Sequence, residues 1–383
     1  MLVWNDFLND ARVLKEAETL HAADYRVVVH AVHVPGRTPE HECLIDGLEV
    51  RRAALMPWRT AGVTGRDNRQ RPLVQVLSRL GWHVIVLWRL LFARADVIHA
   101  HDVNVLPTAW LAAKLSGAKL VYDAHEISTS REGYSSFRKL VAIVERALMP
   151  RAEGTITTTE ARAKFFARAY GIARPLVLQN RPREQQPQAS ERIRRELGLS
   201  ESWPIVLYQG GVQQGRGLER LVRVAAQVPE AYFVFIGGGR LDASLRQIAK
   251  ELQLEDRVHF IPTVALADLP SYTASADIGV QPIENTCLNH YTTDSNKLFE
   301  YVQAALPVIA SDLPEIRRIV RQHDLGLLVP AGNSEALADA LRRMVSDAGL
   351  RQHHTVRARA AAAALSWEMQ EHLLIDLYRR VLG

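Results

Sequence analysis

Lys297 and Glu300 stand one helical turn apart in SNKLFEYVQAALPVIASDLPE, residues 295–315. Leu298, Tyr301, Val302 and Ala305 recur there at helical spacing, so a helix is expected to begin near 295, with Asp294 and Ser295 as N-cap candidates. The first turn, from Ser295 and Asn296, presents unpaired N–H groups and the positive end of the helix dipole. Lys297 adds a full charge, a combination that suits a phosphate or diphosphate. Glu300 can accept two hydrogen bonds from vicinal hydroxyls. Together these groups point to a nucleotide ribose and its diphosphate; the competing explanation is a capped surface helix with both side chains solvated.

A second cation comes from QGGVQQGRG, residues 209–217, between an expected strand and an expected helix. Gly210 and Gly211 let the backbone approach a ligand closely, and Arg216 can bind phosphate bidentately. The loop is neither a Walker loop nor G-x-G-x-x-G, and a tight turn with a solvated arginine is its plainer explanation. Gly237, Gly238 and Gly239 form another strand-to-helix turn, expected to be a wall of the pocket at most. In the first half, two expected strands end in His99, His101 and Asp102 and in Asp123, His125 and Glu126. Polar residues at the carboxyl ends of parallel strands are where a ligand-facing role is expected. His125 can hydrogen-bond a sugar hydroxyl or move a proton; with 14 histidines in the chain, a structural role is the alternative.

Elements must position these residues, and 383 residues with 48% hydrophobic content suffice for two domain cores. In the first half strands are expected at 2–4, 25–33, 48–55, 95–101, 119–123, 155–158 and 176–178, and helices at 10–21, 72–93 and 105–115. A polar linker, 183–203, includes a short helix at 191–197. The second half alternates again, with strands at 205–208, 232–236, 258–261, 278–281, 308–310 and 327–329. Such alternation argues for two α/β units with parallel sheets covered on both faces, and for ligands at the strands' carboxyl ends across a shared cleft. The segment from Ser366, with Trp367, Leu373, Leu374, Leu377 and Tyr378 at helical spacing, is expected to cross back to the first domain.

The net charge of +5 is too small to argue for nucleic acid. It is unevenly placed: residues 51–94 carry nine arginines and one acid, Asp67. Within that stretch Trp58, Trp82 and Trp88, with Leu73, Leu77, Leu80, Val84, Leu87 and Leu91, suggest an anionic membrane or lipid-linked acceptor, against the plainer option of a domain helix with a solvated basic face. Cys43 and Cys287 form no metal-ligand spacing, and no signal-peptide or membrane-spanning run is read, so a reduced cytoplasmic setting is expected, with peripheral contact at the inner membrane face as an addition.

With these motifs in hand, the chain resembles the retaining GT-B glycosyltransferases of family 4. The resemblance rests on residues 295–315, on YQGGVQQGRGLERL, ADIGVQP, VIHAHD and VYDAHE, and on the terminal SWE segment. It implies two doubly wound Rossmann-like domains, 1–182 with 366–383 for the acceptor and 204–365 for the nucleotide sugar. By it, Glu300 binds the donor ribose, Arg216 and Lys297 the diphosphate, and His125 faces the transferred sugar. The loop 284–292, with Asn289, helps select that sugar, while His101, Asp102, Glu126 and Thr292 are sugar-side or acceptor candidates.

Three departures stand out. Thr292 occupies the position of a second glutamate common in the family, Asn5-Asp6-Phe7 replaces a glycine-rich loop, and Ala305 replaces a glycine. No D-x-D motif accompanies the phosphate site, so transfer without a metal or other cofactor is expected. The expected reaction moves a sugar from a nucleotide-diphosphate donor to a glycan or lipid-linked acceptor hydroxyl with retention. The alternatives are a nucleotide-sugar epimerase, which needs no acceptor, and a scaffold that binds the donor without turnover.

Overall fold

The computed structural model describes residues 1–54, 72–131, 137–185 and 189–383, with side chains described from Val76 onward in the second helix. Trp58, Asp67 and the side chain of Leu73 lie outside the described residues. The contacts divide the chain into two units, Met1–Gln179 with Glu371–Gly383, and Asn180–Gln370.

The first unit runs α1 (Ala11–Ala22), β1 (Val27–His33), β2 (His41–Ile45), β3 (Leu48–Ala54), α2 (Pro72–Leu91), β4 (Val97–His101), α3 (Leu106–Ser116), β5 (Lys119–Ala124), α4 (Arg138–Leu148), β6 (Gly154–Thr157), α5 (Glu160–Tyr170) and β7 (Leu176–Val177). Strands pair in the orders β1-β3-β2 and β4-β5-β6-β7. The stretch expected as a strand at 2–4 reduces to one bridging residue: Leu2 pairs in parallel with His30 of β1 and Ala100 of β4 and joins the two sets. The expected all-parallel sheet has one exception, β2, which pairs antiparallel to β3. It is an exposed edge strand with no buried face to leave a hydrophobic pattern, and its signal is the Asp46-Gly47 hairpin turn, with Gly47 at φ 88°. The terminal helix Glu371–Leu382 packs on α1 and β6, where any side chain at Gly154 would meet Leu377 and Val381. Trp367 lies before that helix, in the second unit, its N–H bonded to the Pro182 carbonyl.

The second unit comprises α6 (Arg192–Leu197), β8 (Ile205–Gln209), α7 (Leu218–Ala225), β9 (Tyr232–Ile236), α8 (Asp242–Glu251), β10 (Val258–Ile261), α9 (Leu269–Thr273), β11 (Ile278–Gln281), α10 (Leu288–Tyr291), α11 (Asn296–Gln303), β12 (Val308–Ser311), α12 (Pro314–His323), β13 (Gly326–Val329), α13 (Ser334–Ser346) and α14 (Ala348–Ala361). Its six strands are parallel in the order β10-β9-β8-β11-β12-β13. Side chains alternate between two cores: Val206, Tyr208, Phe233, Phe235, Ile278 and Val280 face one, and Ile205, Leu207, Val234, Ile236, Val308 and Ala310 the other. The order reverses between β8 and β11, so the crevice beyond their carboxyl ends is the ligand position this architecture provides. The stretch 189–203 is no free tether, since Ile193 is fully buried in the second core and Arg192 pairs with Asp268 at 2.9 Å.

Helix α11 ends as its sequence warned. Ala305 is buried with φ 57°, the left-handed conformation in which a Cβ crowds the following carbonyl. Ala305→Gly is therefore expected to stabilise the fold by about 1 kcal/mol, seen as a higher midpoint in denaturant at unchanged slope. Destabilisation would show that the position carries no such strain.

Candidate functional site

In the second unit the site is built around Lys297, on the first turn of α11. Tyr301, one turn on, fixes that helix: its hydroxyl lies 3.0 Å from the Leu207 carbonyl and 3.2 Å from the Val280 carbonyl, and accepts from the Gln209 N–H at 3.3 Å. The ring crosses β11 over Gly279, where a Cβ would stand 2.4 Å from it. With α11 so held, the Lys297 ammonium lies against Gly210, within 3.6 Å of where a side chain there would begin, and 5.1 Å from the Tyr208 ring centroid.

It donates to Ser295 Oγ at 3.3 Å, and among the described residues no carboxylate forms an ion pair with it. Burial pushes Lys297 down to about 7; the Arg216 charge pushes the same way and Glu300 opposes. Ser295 does occupy the N-cap position, yet its side chain makes no cap bond: φ 60° turns the hydroxyl toward Lys297 instead. Of the first turn's N–H groups, that of Leu298 donates to the Ser295 carbonyl at 3.1 Å, and none is capped by the Ser295 hydroxyl.

Around the ammonium, the two strand-to-helix loops hold each other. Gly210 N–H donates to Ile236 O and Val212 N–H to Gly238 O. Side chains at Gly237 and Gly239 would collide with the backbone of Gly210 and Val212, at 2.1 Å in each case. Gly237 and Gly239 thus prop the 210–212 loop. Gly217, at φ 71°, abuts the Pro282 carbonyl and lets Arg216 sit half-buried beside the β11 exit.

Glu300 is only partly buried and is aimed by a partner that its motif did not announce. Gln209, at the end of β8 and 1% exposed, donates from Nε2 to Glu300 Oε2 at 2.5 Å, while its Oε1 accepts from Thr273 Oγ1 at 2.8 Å. Gln281 ends β11 on the same sheet face, fully buried, with neither amide atom hydrogen-bonded in the protein. The 284–292 loop is not open coil: it contains α10 and is tied down by Glu284 to Arg220 at 2.9 Å and Thr286 to His290 at 2.8 Å. Asn289 is buried, Asn296 is exposed, and Thr292 back-bonds to the Leu288 carbonyl at 2.7 Å.

In the first unit, β4 and β5 bring His101, Asp123 and His125 together. His125 Nε2 lies 3.1 Å from Asp123 and 3.2 Å from His101 Nδ1, and its Nδ1 lies 3.9 Å from Asp102. Burial alone would lower the imidazole, but Asp123 and then Asp102 lift it to about 9, so His125 is an imidazolium at neutral pH. Burial would raise Asp123, and the charges of Arg12 and His125 hold it well below the usual carboxylate range.

Arg12 clamps both Asp123 oxygens, at 2.8 and 3.0 Å, and Glu16 lies 3.1 Å from the same guanidinium. Sequence reading missed both residues; the available signal was two charged side chains, i and i+4, on the buried stripe of α1. His101 is 2% exposed and lies beneath His125, whereas His125 is 22% exposed. Asp102 and Glu126 share Arg131, at 3.2 and 3.7 Å.

Two outcomes follow for the nucleotide side. A nucleoside diphosphate bound at Lys297 would restore its proton, so uptake should be small at pH 6 and approach one proton at pH 8, measured by calorimetry in buffers of different ionisation enthalpy. Equal uptake at both values contradicts the assignment. Gln209→Ala frees Glu300 to turn and should raise the donor KM roughly tenfold, with a smaller effect on kcat. Unchanged KM would remove Gln209 from the site.

The comparisons agree with this geometry. A family profile described as glycosyl transferases group 1 matches residues 203–347, and one described as glycosyl transferase 4-like domain matches 10–183. A D-inositol 3-phosphate glycosyltransferase of Xylanimonas cellulosilytica is 25% identical over 303 residues, 74% of this chain and 71% of that one. Among solved structures, sucrose-phosphate synthase from Thermosynechococcus elongatus superposes with TM-score 0.78 at 21% identity, covering 96% of this chain and 92% of that one. Anabaena HepE in complex with UDP-glucose gives 0.75 at 18%, covering 99% and 98%. With both units matched and a Rossmann-like parallel sheet in the second, the chain belongs to the group 1 glycosyltransferases of family 4 type, with the GT-B fold.

Proposed function

We propose that the protein transfers a sugar from a nucleotide-diphosphate sugar to a glycan or lipid-linked acceptor hydroxyl, with retention and without a metal. The observation that carries this reading is the buried Lys297 ammonium, set against Gly210 with Arg216 beside it and Glu300 one turn on. The solved HepE complexes with UDP and with UDP-glucose support a nucleotide-sugar donor on this fold. Glu300, aimed by Gln209, takes the ribose hydroxyls; Arg216 and Lys297 take the diphosphate.

In the reaction the bond from the sugar's anomeric carbon to the diphosphate oxygen breaks and a bond to the acceptor oxygen forms. The acceptor proton passes to the departing phosphate. Negative charge grows on the diphosphate as the bond stretches, so cations already in place stabilise the transition state more than the ground state. On the first unit, His125 is protonated at neutral pH and suits hydrogen bonding to sugar hydroxyls as a donor. It is not available as a base there. The enzyme is assigned to the cytoplasm, in glycan, polysaccharide or glycolipid biosynthesis.

The anomer of the first-formed product, read by NMR in real time, tests the reading: retention is expected, and an inverted product refutes it. Turnover should persist in excess chelator; loss restored by manganese would contradict metal-independent transfer. Arg216→Ala and Lys297→Ala should each raise the barrier by roughly 2–4 kcal/mol, a loss in kcat of about 30- to 900-fold. Near-normal turnover in both would overturn the assignment.

A further inference from the structure

The helices α2, α3 and α4 of the first unit lie side by side, α3 packing against each of the other two. The inner side of α2 is ordinary core: Trp82, Val86 and Leu90 are buried, Trp82 donates to the Ala31 carbonyl, and His83 bonds Thr108 of α3 at 2.8 Å. This corrects the expectation that Trp82 belongs to a membrane-seeking face. The outer side is different. Val76, Leu80, Val84 and Trp88 follow each other at intervals of four, with Leu77 alongside and Phe92 just beyond the helix, and all are exposed, Val84 and Trp88 at 65%. On α4 the same holds for Leu140 and Ile143, with Phe137 at its start.

The charges on these helices have one sign. Their exposed ionisable side chains are Arg79 on α2, Lys114 on α3, and Arg138, Lys139 and Arg146 on α4. The only carboxylate in the three helices, Glu145, points inward and is fully buried, bonded to the hydroxyls of Tyr122, Ser128 and Tyr170. Among the described residues no ion pair involves any of these five cations, whereas Arg51 and Arg52, in the basic stretch upstream, are already paired with Glu49 and Glu42. A protein partner that covered large apolar side chains would meet a rim of one charge sign, which is the pattern of a surface made for an anionic, fluid, apolar phase.

We propose that the outer face of α2, α3 and α4 docks on an anionic phospholipid bilayer, with Leu80, Val84, Trp88, Leu140 and Ile143 entering the headgroup–acyl boundary and Arg79, Lys114, Arg138, Lys139 and Arg146 pairing with lipid phosphates. No helix among the described residues is long and apolar enough to cross a membrane, so the contact is peripheral. The topology gives it a purpose. Helix α2 leads into the start of β4, and α4 follows the end of β5, so Val76, Leu77, Leu80, Phe137 and Leu140 lie toward the sheet edge that carries His101 and His125. A bilayer on this face presents a lipid-linked hydroxyl at the edge where the imidazolium sits.

Co-sedimentation of the full chain tests the docking, using vesicles of pure phosphatidylcholine and of equal parts phosphatidylcholine and phosphatidylglycerol at about 0.1 M salt. Binding is expected to the anionic vesicles alone. Leu80→Glu with Val84→Glu, and separately Lys139→Glu with Arg146→Glu, should each weaken it at least tenfold while thermal stability and donor binding are retained. Equal binding to both vesicles, or binding untouched in both folded variants, overturns the proposal. Concentration-dependent self-association without vesicle binding, lost in Leu80→Glu with Val84→Glu, would instead assign the face to a second copy. The docking is read independently of catalysis: failure to turn over any nucleotide sugar while vesicle binding persists would defeat the transfer reading and leave this one standing.

Discussion

A buried lysine holds its proton firmly only beside an anion, and that constraint organises the second unit. Lys297 is 8% exposed, it donates to a hydroxyl, and the charge of Arg216 works against its own. Removing such a group from water costs several kcal/mol unless an opposite charge arrives. The surrounding architecture keeps it in this position. Tyr301 pins α11 across Gly279, the glycines of two loops interlock beneath the ammonium, and the strand order reverses at that spot. At the strained entry to α11, Ser295 at φ 60° makes no side-chain cap bond and turns its hydroxyl to Lys297. A site assembled this way favours charge that grows during a reaction over charge already dispersed in water.

The first unit solves the opposite problem. There a carboxylate, Asp123, is buried at the end of β5, and Arg12 keeps it ionised from the neighbouring α1. Once Asp123 is charged, His125 retains its proton above neutrality and presents it at a partly open sheet edge. Glu16 and His99 continue the network inward to Tyr378 on the terminal helix, whose hydroxyl lies 2.9 Å from His99. Thus the terminal helix supports the same edge that carries the exposed imidazolium.

Much of this was legible in the sequence because it follows from periodicity. The six strands of the second unit leave runs of apolar residues, and α11 was announced by Leu298, Tyr301 and Val302. What escaped reading depends on contacts between segments distant in sequence. Gln209 and Thr273 are 64 residues apart and look like unremarkable polar residues until the fold sets α9 beside the end of β8, where Thr273 bonds Gln209 and Gln209 bonds Glu300. Arg12 and Asp123, 111 residues apart, are equally silent until α1 packs on β5. Ser295 takes the N-cap position that local propensity favours, but its expected cap bond does not form, because the structure turns its hydroxyl toward Lys297. The edge strand β2 escaped because a strand with no buried face leaves no hydrophobic pattern.

The most direct measurement of the central claim is nucleoside diphosphate release and thermal stabilisation across individual nucleotide sugars, for the wild type and Glu300→Ala. The account predicts that one donor stabilises the protein and releases its diphosphate when acceptor is present, and that the variant loses both responses while staying folded. A folded wild type indifferent to every nucleotide and nucleotide sugar would contradict it.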